Sequence, residues 1–180
     1  MAISSGDLLF KLSVTTGSSG NSTAQGSVDA SLGKYISTTQ LSGTALNNLF
    51  TDVSGASNAA SVVDYRCLFI HNNHATLTLQ NAVAYVSAEV AGGCSAAIAI
   101  EPTAATAIGY TGNQSQSIAS TTTSPTGCSF STPTVYASGL SLGNIGAGSG
   151  RAIWFRRTAN NTIAVNLDGL TLTVAGDSAA

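Results

Sequence analysis

Charge is what this chain most lacks. Asp, Glu, Lys and Arg together make up 8% of its 180 residues, against roughly a quarter in an average soluble domain. The eight carboxylates, Asp7, Asp29, Asp52, Asp64, Glu89, Glu101, Asp168 and Asp177, stand singly. No two fall at a spacing that suggests a general acid working with a general base, and no G-x-S-x-G nucleophile elbow is present. Catalysis is not expected. A formal net charge of -2 and a pI of about 5.4 leave no basic field for nucleic acid, whose binding domains have a pI above roughly 9.

Long apolar runs are missing too. No stretch approaches the roughly 20 residues of a membrane-spanning helix, which argues against a membrane partner. In MAISSGDLLFKLSV, Asp7 and Lys11 interrupt the first apolar cluster, so the unbroken apolar core of a signal peptide is not formed. Synthesis and folding in a cytoplasm are therefore expected. The three cysteines, Cys67, Cys94 and Cys128, are an odd number without C-x-x-C spacing. That suits neither a disulfide framework nor a zinc knuckle, and reduced, buried thiols are expected instead. Aromatic residues amount to 6%, too few for the exposed platform of a carbohydrate-binding sandwich.

Ser, Thr, Gly, Ala and Asn take the places where Lys and Glu would normally sit. A surface of small neutral groups suits packing in an assembly better than steering of charged ligands. The length suits one domain able to bury roughly 70% of its extended surface.

Along the chain, Leu8, Phe10, Leu12 and Val14 alternate as in a half-buried strand. The following TTGSSGNSTAQGS offers little apolar surface to offset the entropy of ordering it, and reads as a flexible arm. Residues 1–40 are expected to form an N-terminal strand and arm, and residues 41–180 the main domain. In TALNNLFTDVSG, Leu46, Leu49, Phe50 and Val53 fall at helical spacing, with Thr44 to cap and Gly55 to end a short helix over Ala45–Val53; GASNAAS reads as a loop. From Asp64 the period is two: Tyr65, Cys67 and Phe69 face one side, Arg66, Leu68 and Ile70 the other, as in a strand apolar on both faces. ATLTLQNAVAYVSAEV, SAAIAIEP, RAIWFRRT, TIAVNL and LTLTVAG read as further strands, with Gln80-Asn81 as an interruption and Asp168-Gly169 as a tight turn. Short edge strands are expected around Ser117–Thr121 and Val135–Ser138. The fold class expected is all-β: an antiparallel, jelly-roll-like sandwich with one short helix in an early connection and a flexible N-terminal segment.

Few residues invite a chemical role, and no cofactor is expected. The glycines of SLGNIGAGSGRAIW lack the Lys-Ser/Thr and the following helix of a phosphate loop, and read as a flexible turn. His71 and His74 lack a third ligand nearby, and exposed turn histidines are expected. Arg151, Arg156 and Arg157 crowd around Trp154; they are candidate partner contacts, with Lys34, because Arg and Trp are enriched at interface hot spots. The competing reading gives these arginines to solvent or to Asp168. Trp154 itself is expected in the core or at its rim.

DYRCLFIHNNHATLTLQNAVAYV, SPTGCSFSTP, GLSLGNIGAGSGRAIWFRRTANN and LTLTVAGDSAA together resemble a family of small virion structural proteins of tailed bacteriophages. The resemblance runs from about Leu41 to the C-terminus and rests most on LSLGNIGAG with IWFRRT. It implies a head decoration or cement protein on the capsid surface, made in the bacterial host cytoplasm. Its implied partners are the major capsid protein and itself, as a homotrimer or homodimer. A tail or baseplate protein of the same virion, or a carbohydrate-binding or adhesin-type sandwich, is the alternative.

Overall fold

A computed structural model describes residues 2–43 and 45–178. Among them nine strands pair antiparallel into two sheets. The larger sheet holds β1 (Leu8–Val14), β2 (Tyr35–Gln40), β3 (Val63–Asn72), β5 (Ser95–Ile100), β6 (Thr106–Ala107) and β8 (Ser149–Thr158) in the order β2-β1-β3-β8-β5, with β6 also on β8. The smaller holds β4 (Leu79–Glu89), β7 (Leu140–Ile145) and β9 (Leu170–Ser178) in the order β7-β4-β9. The expected sandwich is present. Its strands divide six against three, a split that does not spell out a jelly roll.

Strand alternation decides what lies between the sheets. Leu68 and Ile70 of β3, Ile153 and Phe155 of β8, Ile98 of β5, Ala82, Ala84 and Val86 of β4, and Leu142 and Ile145 of β7 form the inner core. The other faces of β3 and β8 are apolar as well. Cys67, Phe69, Ala152 and Trp154 form a second core with Ile36, Ala99 and Ile118, and the irregular segment 101–134 supplies much of its cover through Ile108, Ile118, Cys128 and Phe130. The two-faced reading of β3 and the core position of Trp154, which is 0% exposed, both hold. Gln80-Asn81 is a β-bulge: Asn81 has φ +50 and the β4 register slips between Leu79 and Ala82, as an extra residue in one strand requires.

Several local expectations are corrected. The helix expected over Ala45–Val53 is absent; Asn47 has φ +54, which an α-helix excludes, and Thr44 lies outside the described residues. Among the described residues the one α-helix, α1, is Gly55–Ala59, where a loop was expected, and Gly55 begins it rather than ending one. Ser54 caps it by accepting the amide of Ser57. TIAVNL is not a strand: Asn161 at φ +52 and Leu167 at φ +58 interrupt extended backbone at both of its ends. Tyr136–Ser138 is a 3-10 turn, and Ser117 makes only an isolated bridge, to Gly33. The glycine-rich LSLGNI is β7 itself, with Gly143 at φ +71.

The boundary expected at residue 40 falls inside the larger sheet, because β1 lies between β2 and β3. The Gly/Ser/Thr-rich segment between β1 and β2 is tied down rather than free. Gly20 donates to Tyr110, Asn21 to Ile36 and, in return, Thr38 to Thr23 through backbone bonds of 2.7–3.0 Å. Buried Ser31 accepts the amide of Ser13 and donates to the carbonyl of Cys67, supplying polar partners where apolar contact is scarce.

Candidate functional site

The four candidate partner contacts do not gather into one patch. Arg157 sits near the end of β8 and pairs with Asp64 at 2.8 Å, not with Asp168. It also donates to the carbonyl of Thr51 and lies 4.6 Å from the Phe50 ring centre. Arg156, on the opposite face of β8, stacks 5.2 Å from the Phe130 ring. Arg151, near the other end of the strand, donates to the carbonyl of Thr103. Lys34 lies over the ring of its neighbour Tyr35 at 5.1 Å. Each arginine thus fastens irregular chain onto the sheet: Arg157 the segment before α1, Arg151 and Arg156 the 101–134 cover.

Two further charged groups were not anticipated. Arg66 is 1% exposed; it pairs with Asp29, donates to the carbonyl of its neighbour Tyr65 and lies 5.1 Å from the centre of the same Phe50 ring. Burial lowers its pKa, and Asp29 opposes that shift. Glu101, 2% exposed, accepts hydrogen bonds from Trp154 Nε1 at 2.7 Å, Gln116 Nε2 at 3.2 Å, and Thr103 through both its amide and its hydroxyl. A buried carboxylate is costly unless satisfied in this way. Proximity in sequence gives no hint of these pairs, since Asp29 and Gln116 sit in segments that read as loop.

The histidines part company. His74 Nδ1 accepts the amides of Thr76 and Leu77 in the turn after β3. His71 is buried in β3 at 4% exposure, against the expected turn position, because β3 runs on to Asn72. Its Nδ1 has no partner, and burial, aided by Lys11, pushes its pKa down to about 4. Among the described residues no three His, Cys, Asp or Glu side chains come together as metal ligands. The cysteines are unbonded: Cys67 is fully buried mid-strand, and burial raises the Cys128 thiol to about 11.

Two ion pairs, Arg66–Asp29 and Arg157–Asp64, are made within the chain, while Asp7, Glu89, Asp168 and Asp177 accept hydrogen bonds from neutral donors and keep their charge, on a described surface where charge is sparse. Its prominent groups are apolar instead. The strand ends Val63, Glu89, Ser95, Thr158 and Leu170 lie together through their registers, so the segments 41–62, 90–94 and 159–169 share one end of the sandwich. There Ile163 and Leu167 are 88% and 71% exposed, with Val90 at 39%; Leu46, 71% exposed, stands apart from them, since its neighbours Ala45 and Asn48 line a recess with Leu12, Gln25 and Thr39 beside β1 and β2. Asn58 of α1 donates to the carbonyl of Thr162, and Asp168 accepts the amide of Cys94, which ties the three segments to one another. A shallow recess of about 260 Å³ opens between the last two of them, lined by Glu89, Val90, Gly92, Cys94, Asn160 and Thr162. Large apolar side chains held this far out of the core mark an interaction surface. Compared with family models, curated proteins and solved structures, the chain matches none, and this end of the sandwich, where exposed apolar side chains stand among the carboxylates Asp52, Glu89 and Asp168, is the feature that its own geometry offers for a function.

Proposed function

We propose that this protein is a bacteriophage virion structural protein that decorates the outside of the head, binding the major capsid protein through its neutral surfaces and associating with copies of itself. The observation that carries the reading is the scarcity of charge, 8% of the chain, beside small polar groups and the exposed Ile163 and Leu167, which are left to face a partner. Such a surface exerts little long-range attraction, so affinity comes from close fit and from several weak contacts joined in one oligomer, which raises avidity by roughly 10² to 10⁴. The resemblance of LSLGNIGAG and IWFRRT to virion proteins supplies the context.

The test is to add the purified protein to undecorated, expanded heads at low and high salt and count bound copies by cryo-electron microscopy. Regular occupancy of the head lattice, insensitive to salt, is the expected result. Replacing Ile163 and Leu167 together by Ser should empty those sites while leaving the fold intact. Binding only to tails, or no binding, would overturn the reading.

A further inference from the structure

We propose that two copies of this chain pair along the free edge of β9, joining their three-stranded sheets into one six-stranded sheet across a two-fold axis. The proposal rests on the self-association in the reading above and names its surface. An open strand edge presents a row of unpaired N–H and C=O groups, and proteins that stay monomeric blunt such edges with bulges, Lys, Pro or covering chain. The other edges here are blunted. Residues 21–25 cover β2 through the Asn21–Ile36 and Thr23–Thr38 backbone bonds, and Ser131 covers β5 by exchanging two bonds with Ile98. Gly143, at φ +71 where the ladder slips, interrupts β7.

Among the described residues, β9 has no such guard. The bulges in its ladder insert their extra residues into β4, between Gln80 and Val83 and between Val86 and Ala88, so β9 runs unbroken over Leu170–Ser178. It contains no Lys, Arg or Pro, and Asp177 is its one charge. None of its residues is buried, although Leu170, Leu172 and Val174 pack against the inner core.

The strand also complements itself. Antiparallel pairing centred on Thr173 sets Leu172 opposite Val174 on the core face. On the outer face it sets Thr171 opposite Ala175 and Thr173 opposite its own copy. Apolar and Thr–Thr cross-strand pairs of this kind are favourable. Asp177 then faces Gly169, so no like charges meet. A pattern that matches its own reverse favours a second copy over an unrelated peptide, and the resulting contact is the isologous type of a two-fold dimer.

Sedimentation velocity on the full chain, from micromolar to sub-millimolar concentration, should show a dimer. Thr173→Lys and Thr173→Glu, each placing like charges at the axis, should weaken it at least about tenfold, and mixing the two variants should restore a heterodimer. A monomeric or trimeric parent, or variants that associate as the parent does, would overturn the pairing. Should a variant fold poorly, hydrogen exchange of the parent decides: residues 170–178 should exchange more slowly when concentrated, and exchange independent of concentration would overturn it. A dimeric parent that ignores phage heads refutes the head-binding reading alone, whereas a monomeric parent that binds heads refutes only this interface.

Discussion

Trp154→Phe isolates one hydrogen bond in the second core. Phenylalanine keeps most of the aromatic packing but removes the indole N–H that reaches Glu101 at 2.7 Å. The carboxylate stays buried, still held by Gln116 and Thr103. A hydrogen bond to a charged group contributes about 1.5 to 3 kcal/mol, and in a chain of this length each kcal/mol moves Tm by about 2 to 4 °C. Trp154→Phe should therefore melt lower by roughly 3 to 12 °C. Trp154→Ala adds the loss of a buried side chain, about 3 to 5 kcal/mol. Because Trp154 is the single tryptophan, far-ultraviolet circular dichroism is the signal of choice. In a double-mutant cycle, Glu101→Gln combined with Trp154→Phe should cost less than the sum of the two alone. A Trp154→Phe variant that melts within a degree of the parent, with additive behaviour in the cycle, would refute the claim that this bond anchors the cover over the larger sheet.

Removing the carboxylate beside Arg66 by Asp29→Ala should cost roughly 1 to 3 kcal/mol, below the 3 to 5 of a fully buried pair because Asp29 keeps 45% of its side chain in solvent; urea denaturation checks this. His71 titrates near 6.5 when unfolded and about 4 when folded, so the unfolded chain takes up its proton first and stability falls as the pH drops from 6.5 through 4. His71→Gln should flatten that part of the stability curve, and a native imidazole titrating near 6.5 by NMR would contradict it. All three cysteines should be recovered unlinked by mass spectrometry, with native Cys67 and Cys128 slow to alkylate at pH 8 because burial raises both thiols; a disulfide-linked peptide in high yield would overturn this.

Alternating apolar residues made the strands legible. β3, β8 and β9 follow from period two, and the two cores from the fact that Tyr65 to Ile70 is apolar on both faces. Composition misled where small polar residues are structural. Ser13, Ser31, Gln114 and Ser115 are buried, satisfying backbone groups of segments that read as flexible. The helical spacing of Leu46, Leu49, Phe50 and Val53 is met by irregular chain instead: Leu49 and Phe50 pack on the core while Leu46 points outward. The alternation of TIAVNL misled for a different reason: side-chain pattern does not reveal the left-handed backbone of Asn161 and Leu167 that bounds it. Of the candidate site, the arginines were visible in sequence but their partners were not, because Asp64, Thr51, Thr103 and Phe130 reach them only through the tertiary fold.

The pairing of β3 with β8 sets the timetable of folding. β3 ends at residue 72, and the strand that completes its ladder begins at residue 149. During synthesis at about 5 to 20 residues per second, one edge of a strand apolar on both faces waits on the order of 4 to 15 s for its partner. Non-local pairing of this kind is slow even in a released chain. A nascent chain in that interval carries CLFI with no proline, a segment of the type that stacks between molecules, with Asp64 and Arg66 as its nearby charges. Soluble yield should therefore rise when chaperones hold the half-made sheet, and recovery from denaturant should fall with protein concentration.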